Sequence, residues 1–307
     1  MSNQTTRSEF LLLGFSDVRE LQILHFTVFL VIYLAALMGN LLIVTVITLD
    51  RHLHTPMYFF LGNLSILDLC FISVTVPKSM ANSLTNTRWI SFSGCVTQVF
   101  LVVCFAAAEM AFLTVMAYDR YVAICLPLRY REIMNRSACV QMAAGCWVSI
   151  WVFTLPFCGS NKINYFFCDI PPLIKLSCID TSQYEMQLFS ASILVIFTPF
   201  TLILVSYIFI ISTILKIASA EGRHKAFSTC SSHLIVVTLY YGCSSLIYLR
   251  PNSINLPDSN KVLSLIYTTV TPTLNPFIYS LRNKEVKEAL RRILGDMMKR
   301  KIFSHRK

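Results

Sequence analysis

Seven long apolar runs, separated by short polar stretches, dominate the chain. They lie at 26–49, 57–77, 96–118, 139–158, 188–215, 229–249 and 262–281. Each is close to the roughly 20 residues a helix needs to cross the hydrocarbon of a bilayer. A helix satisfies its own backbone hydrogen bonds there, which an open strand cannot. The pattern predicts an all-α protein: a seven-transmembrane helix bundle over 26–281, an N-terminal segment 1–25 and a tail 282–307, with no room for a separate soluble domain. Beyond the seventh run, Lys284 to Arg300 reads as a short amphipathic helix. Val286, Leu290, Ile293 and Met297 recur at helical spacing with Lys287, Arg291 and Arg292 between them. Such a helix is expected on the membrane surface, drawn to anionic lipid.

Composition agrees with the pattern. Of 307 residues, 55% are hydrophobic and 14% charged, where soluble domains carry about a quarter charged residues. Mean hydropathy is +0.61. Charge then orients the bundle. Segments 1–25, 78–95, 158–187 and 250–261 hold eight Lys and Arg residues; 49–57, 119–139, 213–226 and 282–307 hold eighteen. Basic residues concentrate on the cytoplasmic side, so the N-terminus is expected outside and the amphipathic helix inside. The net charge of +10 therefore reads as this bias rather than as a nucleic-acid arm. Phe10-Leu11-Leu12-Leu13 is too short and too poorly flanked for a cleavable signal, which leaves the first run as signal anchor. Asn3-Gln4-Thr5 is a glycosylation sequon on the outside. The similar triplets at Asn63 and Asn135 fall in the membrane and the cytoplasm and are expected to stay unmodified.

Cysteines divide by the same topology. Cys70, Cys104, Cys125, Cys139, Cys146, Cys230 and Cys243 lie in runs or inside and are expected reduced. Cys95, Cys158, Cys168 and Cys178 lie outside. Four cysteines there suggest two bridges, and three pairings are open. Three of the four sit in the longest connection, from Cys158 to about Gln187, which is placed to cover the outer mouth of the bundle.

Two carboxylates, Asp68 and Glu109, lie deep in predicted spans, where an ionisable group needs a partner, a cation or a proton. Asn40 and Asn275 are polar groups at similar depth. Convergence of Asn40, Asp68, Glu109 and Asn275 would hold a monovalent cation such as Na⁺, or one shared proton, because two facing carboxylates resist joint ionisation. The alternative is that each merely hydrogen-bonds a neighbouring helix. Glu109 precedes Arg120 by 11 residues, about three helical turns, so both face one side. Asp119-Arg120 itself stands where lipid gives way to water. Pro199, Pro272 and Pro276 interrupt spans and free carbonyls.

The outer halves of the third, fifth, sixth and seventh spans contribute Val102, Val103, Ala106, Ala107, Ala191, Ser192, Val195, Tyr241, Ser244, Ser245, Tyr248, Leu265 and Thr269. None is charged. A cavity lined this way suits a small, mostly apolar ligand with one or two hydrogen-bonding groups, and offers amines and phosphates no counter-ion. Tyr241 and Tyr248, two turns apart, are the strongest single candidates. The six histidines show no metal-protease spacing and there is no Gly-rich phosphate loop, so an enzyme, a metal centre and an organic cofactor are not expected. A channel or transporter would want a continuous polar path and internal repeats, which are absent from the sequence.

Gly39-Asn40, Asp68, Asp119-Arg120-Tyr121, Pro199 with Tyr207, and Asn275-Pro276-Phe277-Ile278-Tyr279 together resemble the rhodopsin-like G-protein-coupled receptors. Leu53-His54-Thr55-Pro56-Met57-Tyr58, Met116 to Cys125, Ser206-Tyr207 and Lys225-Ala226-Phe227-Ser228-Thr229-Cys230 narrow the likeness to vertebrate olfactory receptors, over about residues 10–300. The resemblance implies a plasma-membrane receptor for small volatile odorants that activates a stimulatory heterotrimeric G protein and raises cAMP. It implies that Arg120 is held by Asp119 at rest and released toward the G protein and Tyr207, with Asn275, Pro276 and Tyr279 as a second switch. It also implies the bridges Cys95–Cys168 and Cys158–Cys178. The amine anchor of related receptors would fall at Val102 and is missing. The sixth span has Tyr241-Gly242-Cys243 in place of the usual Trp-x-Pro. A lipid receptor of the same fold is the remaining rival; the uncharged cavity disfavours peptides.

Overall fold

The computed structural model describes residues 9–14, 16, 18–85, 88–134, 162–163, 165–170, 173, 182–249, 257–282, 285–293 and 295. The predicted fourth span, the sequon at Asn3 and the pair Cys158 and Cys178 lie outside them.

Five helices are long and apolar enough to cross a membrane: α1 (Arg19–Leu49), α2 (Pro56–Thr85), α3 (Phe92–Cys125), α4 (Ser182–Leu215) and α5 (Ala220–Tyr248). Each covers a predicted run. A further rod runs unbroken over the last run as α6 (Pro257–Leu265), a π-helical turn (Ile266–Val270) and α7 (Thr271–Arg282). After it, residues 285–293 form α8.

Burial separates central from peripheral helices. The most apolar stretches of α2, α3 and α5 are 56%, 50% and 56% buried, against 22% for α1 and α4. On the latter two, Val31, Met38, Leu194, Leu202 and Ile208 point outward, which only a lipid environment accommodates without cost.

Several helices outrun their predicted spans, because polar groups at the ends satisfy orphan backbone atoms. The guanidinium of Arg19, in the first turn of α1, donates to the carbonyls of Ser83 (3.2 Å) and Leu84 (2.9 Å) at the end of α2. It thereby extends α1 to seven residues before the predicted start at 26. The α5 helix starts at Ala220, inside the predicted basic loop 213–226, because Ser219 Oγ accepts from Gly222 N at 3.2 Å. Ser91 caps α3 in the same way, through Gly94 N at 3.1 Å.

One end of the bundle carries a small sheet in the order β2-β1-β3. Strand β1 (Glu9–Leu12) pairs antiparallel with β2 (Trp89–Ser91), Phe10 opposite Ile90, and parallel with β3 (Lys162–Ile163), Leu12 opposite Ile163. Phe10 and Leu12 turn inward and are buried, as the period of two requires. The segment 165–169 then dips into the bundle. Phe166, Phe167 and Asp169 are buried, Cys168 is bridged to Cys95 on α3, and the N–H of Cys168 donates to Gln98 Oε1 at 2.9 Å.

Candidate ligand pocket and switch region

Most of the residues proposed as ligand contacts are withdrawn from the surface, with two exceptions. Val102, Ser192, Tyr241, Ser244 and Thr269 are buried; Val103, Ala106, Ala107, Ser245, Tyr248 and Leu265 are partly buried. Ala191 and Val195 do not join them. The inward face of α4 runs through Ser192, Ile196, Ile203 and Tyr207. Positions 191 and 195 are one residue, about 100°, off that face, and Val195 is 49% exposed.

The two tyrosines chosen from sequence have different tasks. Tyr241 donates to the carbonyl of Met110 on α3 at 3.3 Å, and its ring meets Phe200 of α4 with centroids 5.4 Å apart. It ties three helices together. Tyr248 lies nearer the sheet end. Its hydroxyl donates to Asp169 Oδ1 at 3.1 Å and stands 3.1 Å from the hydroxyl of Tyr267.

Asp169 corrects the expectation of an uncharged cluster. It comes from the connection rather than from a helix, and the Cys95–Cys168 bridge carries it into the bundle. Tyr267 was also missed. It faces inward from the π turn, where Thr271 N bonds to Ile266 O five residues back. Pro272, next in sequence, has no N–H to continue the normal ladder.

In the middle of the bundle, Asn275 Nδ2 donates to both oxygens of Asp68, at 3.1 and 2.9 Å. Glu109 lies beside Asp68. Both its oxygens are buried without a hydrogen-bond partner among the described residues, as are Asn40 Oδ1 and Asn275 Oδ1. Asn40 sits a helix away but serves the same structure. Pro276 cannot donate to the carbonyl of Pro272, and Asn40 Nδ2 takes that acceptor at 2.9 Å. The close approach depends on Gly39: a Cβ there would stand 2.8 Å from Pro276 Cγ.

At the opposite end from the sheet, Asp119 and Arg120 are both buried. Asp119 Oδ1 accepts from the Tyr130 hydroxyl at 2.7 Å. Tyr121 packs on Phe209 of α4, centroids 5.9 Å apart. The resemblance assigns Tyr207 to Arg120 after activation; here its hydroxyl stands 2.9 Å from His233 Nδ1. His233 Nε2 is 3.0 Å from the carbonyl of Leu113. That carbonyl can only accept, so Nε2 carries the proton, and in the neutral ring Nδ1 accepts a hydrogen bond from the Tyr207 hydroxyl. One buried histidine thus joins α3, α4 and α5 beside Arg120. In the sequence it stands only as one of six histidines without metal-protease spacing. Tyr279 is buried nearby.

The amphipathic segment packs on the protein as well as facing outward. Val286 and Ala289 of α8 join the core while Lys287 and Arg291 stay exposed. The Arg292 guanidinium donates twice to Asp50 Oδ2, at 3.0 and 2.7 Å, and Tyr58 donates to Glu285 Oε2 at 2.8 Å. The Arg292 contact holds the Asp50 carboxyl down to about 2.

The sequence is similar to those of known proteins. The sequence profile described as olfactory receptor matches residues 29–297. Olfactory receptor 10A7 of Homo sapiens is 52% identical over 98% of each chain. Olfactory receptor 10A5, also human, is 52% identical over 95% of each. Olfactory receptor 14A16, from the same organism, is 48% identical over 98% of this chain and all of its own. That family is one of receptors rather than enzymes. A multi-pass arrangement of apolar helices, a bridge from α3 to the loop above it and family likeness along nearly the whole length agree: the chain belongs to the olfactory receptor family.

Proposed function

We propose that the protein is an odorant receptor of the plasma membrane that couples to a stimulatory heterotrimeric G protein and raises cAMP. One observation carries the reading beyond family membership: a largely apolar cluster on α3, α5 and α6 shares α3 with the buried Asp119-Arg120 pair. In this reading the chain crosses the membrane seven times, the fourth span being 139–158. The sheet end faces outside, with Asn3 glycosylated and a second bridge joining Cys158 and Cys178. The Arg120 end and α8 face the cytoplasm and its anionic lipid.

A small volatile ligand enters among Val102, Val103, Ala106, Ala107, Ser244, Ser245, Tyr248, Leu265 and Thr269. It binds better to a state in which α5 has moved away from α3, and so shifts the population toward that state. The move breaks the His233 link to Leu113, frees Tyr207 for Arg120 and opens a G-protein cleft, with Asn275, Pro276 and Tyr279 repacking alongside. The cluster of Asn40, Asp68, Glu109 and Asn275 holds Na⁺ or a shared proton in the resting state. The unpartnered oxygens of Glu109 support that reading, since two buried carboxylates without water or a cation are costly.

The test is a cAMP-reporter screen of volatile compounds on cells with the receptor counted at the surface. A dose-dependent response to small, mostly apolar volatiles, absent from mock cells, supports the reading. Silence to the whole panel from surface-positive cells contradicts it.

A further inference from the structure

The segment 165–170 brings a carboxylate into the ligand cluster together with unused hydrogen-bonding capacity. Asp169 is fully buried. Its Oδ1 accepts from Ile170 N at 2.8 Å and from the Tyr248 hydroxyl at 3.1 Å. Its Oδ2 has no hydrogen-bond partner among the described residues, and neither has the Tyr165 hydroxyl or Ser264 Oγ, all three buried. These groups are neighbours: Tyr165 stands beside both Asp169 and Ser264. Among the described residues no Lys or Arg pairs with this carboxylate. Lys261, on the next turn of α6, donates to the carbonyl of Gly14 at 2.9 Å.

A carboxylate withdrawn from water without a cation is costly. Burial pushes Asp169 up to about 6, against the pull of its two hydrogen bonds; it is still mostly ionised at neutral pH. A buried carboxylate oxygen without a hydrogen-bond partner asks for a donor, and preferably a charged one.

We propose that Asp169, with Tyr165, Ser264 and Tyr248, is a recognition subsite for the ammonium group of a small aliphatic amine. This rests on the odorant reading of the pocket and narrows its ligand class. The match is one of count. A primary ammonium has three N–H donors, and three buried oxygens with acceptor capacity stand together: Asp169 Oδ2, Tyr165 Oη and Ser264 Oγ. A hydroxyl brings one donor. An aldehyde brings none and sets its own lone pairs against Oδ2. The alkyl chain finds apolar ground nearby, since Gln98 holds the loop at Cys168 and Val102 lies about one helical turn further along α3. The helix residues proposed to line the pocket carry no charge; the loop supplies the counter-ion.

The test compares hexylamine, hexanol and hexanal on the full-length receptor, its Asp169→Asn variant and its Asp169→Glu variant, with cAMP as readout and surface expression counted. The wild type is expected to respond best to the amine and least to the aldehyde. Asp169→Asn should raise the EC50 for hexylamine at least about tenfold, the worth of one charge-assisted hydrogen bond. It should leave hexanal within about twofold, and Asp169→Glu should recover the amine response. Equal losses for amine and aldehyde, or an amine response untouched by Asp169→Asn, would show that Asp169 only fastens the loop. A wild type that prefers the aldehyde overturns the subsite and leaves the pocket standing. A surface-expressed wild type silent to all three overturns the subsite, and one silent to the whole volatile panel as well overturns both.

Discussion

Gly39 shows how a single absent atom sets a helix interface. A Cβ would reach within 2.8 Å of Pro276 Cγ, and proline has no flexible end to yield. Gly39→Ala should therefore push α1 from α7 and pull Asn40 off the Pro272 carbonyl it satisfies. Overpacking of this kind costs about 1–3 kcal/mol; the purified variant should melt several degrees below wild type, and an unchanged melting point would refute the packing argument. Tyr248→Phe removes only a hydroxyl shared with Asp169 and Tyr267. It should weaken responses to oxygen- or nitrogen-bearing ligands more than to hydrocarbons; equal weakening would mean that the hydroxyl plays no part in recognition. At this scale the sequence was legible wherever a residue acts within its own helix or motif: Asn40, Asp68 and Asn275 stand out as polar groups in apolar runs. Asp169 was not, because its importance comes from a disulfide and a loop path, neither of which leaves a periodic trace. Ala191 and Val195 were misread for a smaller reason: the period of 3.6 locates a face only once one inward residue is known, and on α4 nearly every residue is apolar.

Among elements, the apolar runs foretold each of the long described helices, while their ends depended on capping atoms that hydropathy does not weigh. The π turn was invisible for the same reason: it answers to Pro272 and to packing around Tyr267, not to composition. The α8 helix was legible by its spacing, yet its docking was not, since the amphipathic pattern is the same for a helix that lies on lipid and one that lies on protein. The clasp between Asp50 and Arg292 makes a prediction about pH. The Asp50 carboxyl is held below its usual value of 3.8, to about 2. Its contribution is thus complete above the unfolded value and is lost only as pH falls through about 2. Hydrogen exchange of residues 285–293, corrected for intrinsic rates, should be unchanged between about pH 5 and 8. Arg292→Ala should speed it throughout that range, by less than about 1 kcal/mol because the Arg292 side chain is 46% exposed. Exchange that accelerates between pH 8 and 5 in the wild type would assign the docking to another group.

For the molecule as a whole, a pocket at one end matters only if it speaks to the other. The α3 helix carries Val102, Glu109, Leu113, Asp119 and Arg120 on buried positions of one helix, and α5 meets it through hydrogen bonds that include Tyr240 to Ala106, Tyr241 to Met110 and His233 to Leu113. A ligand that rotates or displaces α5 must break or slide these in turn, which makes the α3–α5 seam the transmission element. Arg120 at its end is the output. The decisive measurement is odorant-driven cAMP from Arg120→Ala beside wild type, at matched surface expression, for any volatile that activates the wild type. The response should disappear, while the variant still reaches the surface. A well-expressed Arg120→Ala receptor that signals like wild type would contradict the coupling of pocket to Arg120.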